Sequence, residues 1–181
     1  MPSKRPKATI SFSEADLEGI SLSHGDALVV QVKIARRPVQ LVLIDTGASV
    51  DLMSLDMYRQ FSFGDKALKP EGTSLHGFSG AVATIKGSID LLVMFGQAIQ
   101  VKFMVVRSVV AFNAILGRLS LTALQAIISP IHLKMKFPTE NGIGEIRGDQ
   151  KRAQECYTTF VKQNKGNVRG MAMCVEHLPK D

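Results

Sequence analysis

The chain of 181 residues has no tryptophan, two tyrosines and two cysteines. With aromatics at 6%, its core has to be built mainly from Val, Leu, Ile and Met. Cys156 and Cys174 have no Cys or His partner at zinc-ligand spacing, so no metal site is expected, and no cofactor motif stands out. Two lone cysteines fit a reducing compartment at least as well as a disulfide. No apolar run approaches the ~18 residues of a membrane helix, and Arg107 interrupts the longest candidate. The opening Pro2-Ser3-Lys4-Arg5-Pro6 holds no apolar h-region, so the expectation is an intracellular, cytoplasmic protein that is not secreted and has no membrane partner.

What is present is a hydrophobic content of 45%, enough for one domain with short tails. The net charge of +6 is concentrated in Lys4, Arg5 and Lys7 and in the stretch after Lys134. The basic residues are not interleaved with aromatics, so the charge reads as solvated surface and indicates no specific nucleic-acid partner.

Period-two patterning dominates the middle of the chain. Leu28, Val30, Val32 and Ile34 fall on one face of a strand, with Gln31 and Lys33 on the other. Residues 39–44 form the next strand and end at Asp45. A short strand over residues 50–53 comes next, and Ser54 caps a short helix running to Phe61. Residues 73–85 hold Gly77 and Gly80 on either side of Phe78 and read as a glycine-tipped hairpin. Ile89, Leu91, Val93 and Phe95 alternate, as do Ile99, Val101, Phe103 and Val105. Ala114-Ile115-Leu116 is a short buried strand, residues 121–128 have helical spacing, and Ile131, Leu133, Met135 and Phe137 alternate against His132, Lys134 and Lys136. The expected fold is mainly β: a small closed antiparallel barrel with one or two short helices and a hairpin flap. The expected division is an irregular basic lead-in over 1–25, a domain over 26–137, and a linker or tail over 138–181, where periodicity fades.

The segment Leu41-Val42-Leu43-Ile44-Asp45-Thr46-Gly47-Ala48-Ser49 carries the chemistry. An apolar strand runs straight into Asp-Thr-Gly. Hydrolysis of a peptide by water needs a base for the water and an acid for the carbonyl oxygen or leaving amine, and two adjoining carboxylates sharing one proton do both. Thr46 offers a hydroxyl to a partner loop, and Gly47 lets backbone and substrate approach closely. An isolated Asp-Thr-Gly is also an ordinary turn. The apolar run before it, the glycine-rich hairpin after it and the Ile115-Leu116-Gly117 strand favour the catalytic reading. No other Asp lies in this context, so the second carboxylate has to come from a second copy of the chain.

These residues carry a resemblance. Residues 24–30, Val42 to Ser49, Leu75-His76-Gly77-Phe78-Ser79-Gly80 and Phe112-Asn113-Ala114-Ile115-Leu116-Gly117-Arg118 resemble the conserved blocks of retropepsin-family aspartic proteases. The stretch from Phe137 to Gln150, with Glu155-Cys156-Tyr157, resembles the link from protease to reverse transcriptase in plant Ty3/gypsy-type LTR retrotransposon Gag-Pol polyproteins. The resemblance implies an acid-protease barrel, active as a homodimer, that cuts its own polyprotein. It implies catalysis by Asp45, with support from Thr46, Gly47, Ala48 and Ser49, a brace by Gly117 and Arg118, and substrate cover by the flap residues Gly77, Phe78, Ser79 and Gly80. Two positions depart from the family. Ser49 stands where many relatives have an acid that pairs with the Arg, so Arg118 is left to Asp51 or to backbone, and Leu119 stands where this plant group often has Pro. The alternatives are a catalytically silent dimerisation or peptide-binding module, and a peptidase domain recruited into a host protein. Against the second stands the absence of a ubiquitin-like segment.

Overall fold

The computed structural model describes residues 9–72, 75–76, 82–107 and 111–163. The strands are β1 (Val29–Ile34), β2 (Arg37–Ile44), β3 (Asp51–Ser54), β4 (Leu75–His76), β5 (Val82–Ala83), β6 (Ile85–Met94), β7 (Ala98–Val106), β8 (Ala114–Leu116), β9 (Ile127–Ser129), β10 (Lys134–Thr139) and β11 (Gly142–Arg147). The helices are α1 (Leu55–Gln60), α2 (Arg118–Leu124) and α3 (Gln150–Gln163).

Six strands close into a barrel in the order β1-β2-β8-β3-β7-β6. The alternating faces of β1, β6 and β7 point into it: Val32, Ile34, Val93, Phe103 and Val105 are all almost fully buried. Alternate residues of a strand face opposite sides, so these period-two runs can line a single core. Four of the six pairings are antiparallel, as the sequence pattern predicts for all of them; β2–β8 and β3–β7 run parallel. The first parallel pair is a consequence of where β8 lies. β2 and β3 run in opposite directions and β8 pairs with both, so it must parallel one of them. Residue 54 caps α1 as expected, with the Met57 amide donating to Ser54 Oγ at 3.1 Å.

Expectations for residues 121–134 need correction. The helix expected over 121–128 begins earlier and stops at Leu124, because Gln125 takes the left-handed conformation (φ 55) and ends it. Residues 127–129 are then strand β9, not helix. Lys134, expected on the outer face of β10, is only 3% exposed.

The tail expected from residue 138 does not start there. β10 continues to Thr139, turns through Glu140 and Asn141, and pairs with β11 along its full length. β9, β10 and β11 form a second sheet against the barrel. Gly144 lets β11 lie on Phe137: a Cβ there would fall 2.5 Å from the Phe137 ring. α3 comes next, its start fixed by the Asp149 amide donating to the Val29 carbonyl at 2.8 Å, while Asp149 Oδ1 accepts from the Arg152 amide. Only small side chains, Ala153 and Cys156, are buried on its inner face, and so its apolar periodicity is faint. Residues 9–25 are irregular apart from a 3-10 turn at Glu14–Leu17, but they are pinned to this sheet through Asp16.

Candidate active site

β2 delivers Asp45. Val42, Leu43 and Ile44 are buried, and the strand is paired on both sides. Upstream, a bulge at Gln40 and Leu41 shifts the register against β1, with Leu41 at φ 56. A bulge bends its strand and re-aims the residues beyond it. Asn113 fixes this one: its side chain donates to the Gln40 carbonyl and its amide to the Leu41 carbonyl, each at 2.9 Å. The Asp45 amide then donates to the Leu116 carbonyl on β8 at 3.0 Å.

The loop holds its own carboxylate. The Gly47 amide donates to Asp45 Oδ1 at 2.8 Å, and the Ala48 amide donates to the Asp45 carbonyl at 3.2 Å. Asp45 is half-buried at the surface, with Thr46 and Ser49 exposed beside it.

Gly117 and Arg118 close the loop from behind. The Arg118 amide donates to the Ala48 carbonyl at 2.9 Å, and Nη1 donates to the carbonyls of Thr46 and Gly47, both at 3.1 Å. Of the two partners left open for Arg118, backbone is the one it takes. Gly117 permits the approach, since a Cβ there would fall 2.5 Å from the Val50 carbonyl oxygen and 2.7 Å from that of Ala48. Asp51 turns inward, 2% exposed, and its Oδ1 accepts the Gly117 amide at 2.7 Å. Burial pushes the Asp51 carboxyl pKa up, against the hydrogen bonding of Gly117 and Ser120 that favours its charged form.

The stem of the expected hairpin is present, with Leu75 opposite Ala83 and His76 opposite Val82. Its tip, Gly77, Phe78, Ser79 and Gly80, lies outside the described residues. Among the described residues no three His, Cys, Asp or Glu side chains gather as a metal site would need.

No family model matches the chain, and no curated protein matches it either. Among solved structures it is similar to the retroviral protease-like domain of Ddi1 from Leishmania major. The identity is 20% and the TM-score 0.52, over 67% of this chain and 94% of that one. The fold is that of a retropepsin-like aspartic protease domain. Also similar is a retropepsin-like aspartic protease from Rickettsia conorii, at 16% identity and a TM-score of 0.42, over 65% of this chain and 78% of that one.

On this retropepsin-like fold the sequence-derived residues Asp45, Thr46, Gly47, Ala48, Gly117 and Arg118 form one hydrogen-bonded unit. Ser49 lies in the same loop, exposed. The contacts made by two supporting residues escaped sequence reasoning. Asn113 lies inside the Phe112 to Arg118 block, and its side-chain bond to the Gln40 carbonyl spans 73 positions. Asp51 looks like any polar residue opening a strand; it shares a strand face with the fully buried Met53, and that face turns inward.

Proposed function

We propose that the chain is an aspartic endopeptidase that works as a homodimer, each copy lending Asp45 to a shared site. The observation that carries this reading is the Asp45 loop itself. Its carboxylate is held by the Gly47 amide, and the Thr46 and Gly47 carbonyls are clamped by Arg118. One carboxylate does not suffice for the chemistry. Asp51 is no candidate for the second, being buried and engaged with Gly117.

In the proposed pair, two facing Asp45 carboxyls share one proton. The ionised member takes a proton from water, whose oxygen attacks the scissile carbonyl carbon. The protonated member gives its proton to the carbonyl oxygen. The tetrahedral gem-diol collapses: its C–N bond breaks, the leaving amine takes a proton from one carboxyl, and a diol hydroxyl returns its proton to the other, so that the pair again shares one proton. The exposed Thr46 hydroxyl bonds across to the partner loop, Gly47 receives substrate backbone, and residues 77–80 cover the substrate. The substrate proposed is a polypeptide, the chain's own retrotransposon polyprotein, cut inside the cell. The sequence resemblance, which covers roughly Ile10 to Tyr157, supports that origin.

The test is to incubate the chain and its Asp45→Asn variant with a mixed peptide library from mildly acidic to neutral pH, with and without pepstatin. Cleavage by the parent alone, blocked by pepstatin, is the expected result. Cleavage by Asp45→Asn overturns the mechanism. Full activity from a chain that sediments only as monomer overturns the shared dyad. Silence from a folded dimer overturns the peptidase reading and leaves a peptide-binding module.

A further inference from the structure

We propose that Asp51 is a positioning residue of the Asp45 site, acting through the Leu116–Gly117 peptide and the Arg118 clamp. The proposal rests on the peptidase reading for its kinetic consequence, but not for its geometry.

One peptide plane joins the two aspartates. The carbonyl of Leu116 accepts the Asp45 amide at 3.0 Å. The amide of Gly117, on the other side of the same peptide bond, donates to Asp51 Oδ1 at 2.7 Å. The hydrogen bonds therefore run in series from Asp45 N–H through the Leu116–Gly117 peptide to the Asp51 carboxylate. Hydrogen bonds in series polarise one another, most strongly where the terminal acceptor is charged and buried.

Several observations make Asp51 the anchor of that series. It opens β3, which is paired with β7 on one side and β8 on the other, so its position is referenced to the barrel wall. Burying a carboxylate is costly unless donors compensate, and no cationic side chain pairs with Asp51 among the described residues. The compensation comes from the Gly117 amide, with Ser120 of α2 also favouring the charged form. Gly117, the N-cap of α2, has no side chain to cap its own helix, and Asp51 reaches in from another strand to take its amide. Gly117 is meanwhile wedged against the Val50 and Ala48 carbonyls. The depth at which Gly117 sits sets where Arg118 begins, and Arg118 is what reaches Thr46, Gly47 and Ala48.

The experiment compares the parent with Asp51→Asn, which keeps an acceptor oxygen but loses the charge, and with Asp51→Ala, which loses both. Kinetics use a peptide selected from the library. Amide exchange is followed at positions 45, 47 and 117 in an Asp45→Asn background, with β6 and β7 amides as internal reference. The expected result is a fall in kcat of about tenfold for Asp51→Asn and more for Asp51→Ala, with KM within about twofold. Exchange at positions 45 and 117 should rise by about tenfold relative to β6 and β7. A residue that serves folding alone would lower the unfolding midpoint and leave kcat per folded site unchanged, and that outcome overturns the proposal. If Asp51→Ala does not fold, Asp51→Asn decides. If the parent cleaves nothing, the peptidase reading falls, and exchange alone decides the positioning role. Unchanged relative exchange at positions 45 and 117 overturns it.

Discussion

The Lys134 ammonium lies 2.6 Å from the Asp16 carboxylate, joining residues 118 positions apart in sequence. Lys136 reaches the other oxygen at 2.9 Å, and Glu145 lies 3.3 Å from Lys134. Lys134 is the residue that alternation placed on the outer face of β10. The segment from Ser11 to Asp16 folds over that face, so a solvated face becomes an interior one.

This cluster predicts a particular pH dependence of stability. The hydrogen bonds from Lys134 and then Lys136 hold the Asp16 carboxyl well below its ordinary pKa of 3.8. The folded state therefore resists protonation where the unfolded state accepts it. The stabilisation is complete above the ordinary carboxylate value and is lost as pH falls toward the folded one. The urea midpoint should drop steadily as pH is lowered through about 4 and below. Asp16→Asn should lower the midpoint at neutral pH and flatten that acid slope. Parallel slopes for parent and variant would refute the assignment.

The boundary of the folding unit can be tested by truncation. A chain ending at residue 137 loses β11 and α3, uncovering Phe137 and Met135 and removing the Asp149 anchor on β1. It should show no cooperative thermal transition. A chain ending at residue 163 should melt as the full chain does. Cooperative melting of the shorter piece would return residues 138–163 to the status of a tail.

Gly117→Ala should destabilise by about 2 kcal/mol or more, because overpacking here drives a methyl into backbone oxygens that cannot move aside. The backbone angle itself (φ −97) suits any residue, so the effect is purely steric. Denaturant titration measures it; a change below about 0.5 kcal/mol would mean that the loop yields.

Arg118→Lys should separate the clamp from the charge. Lysine keeps the positive charge but lacks the planar fork. Since Arg118 is exposed, the stability loss should stay within about 1 kcal/mol. The catalytic rate of the proposed dimer should fall by about tenfold, as a mispositioned carboxylate loses reach to its partner. An unchanged rate would place the hold on the loop with Gly117 and its neighbours.

Features that repeat locally could be read directly from the sequence. The inward faces of β1, β6 and β7, the Ser54 cap, and the strand that ends at Asp45 each declare themselves within a few residues. The misread parts lack that local signal. Gln125 ends α2 in a left-handed conformation usually taken by Gly or Asn, so no stop was visible. α3 is held by Ala153, Cys156 and hydrogen bonds, which leave little hydrophobic period. The β10–β11 hairpin turns through Glu140 and Asn141, among charged residues that leave little alternation to read. At the site, Asp45 and Arg118 were marked by their motifs. Asp51 and Asn113 act over 66 and 73 positions respectively, a range at which spacing carries no information.

The placement of β8 between β2 and β3 also dictates an order of events. β2 and β3 are made early and consecutively, yet they do not pair with each other in the barrel; their common neighbour arrives much later in the chain. Until it does, the Asp45 amide has no Leu116 carbonyl to meet and the loop has no Arg118. Pairings between distant segments form late, after the cost of closing the intervening chain has been met. A growing chain thus carries Asp45 in an unset loop until residues 114–118 have been made. The loop takes its hydrogen-bonded shape only once the last barrel strand slots in, so the strand that closes the barrel is also the one that sets Asp45.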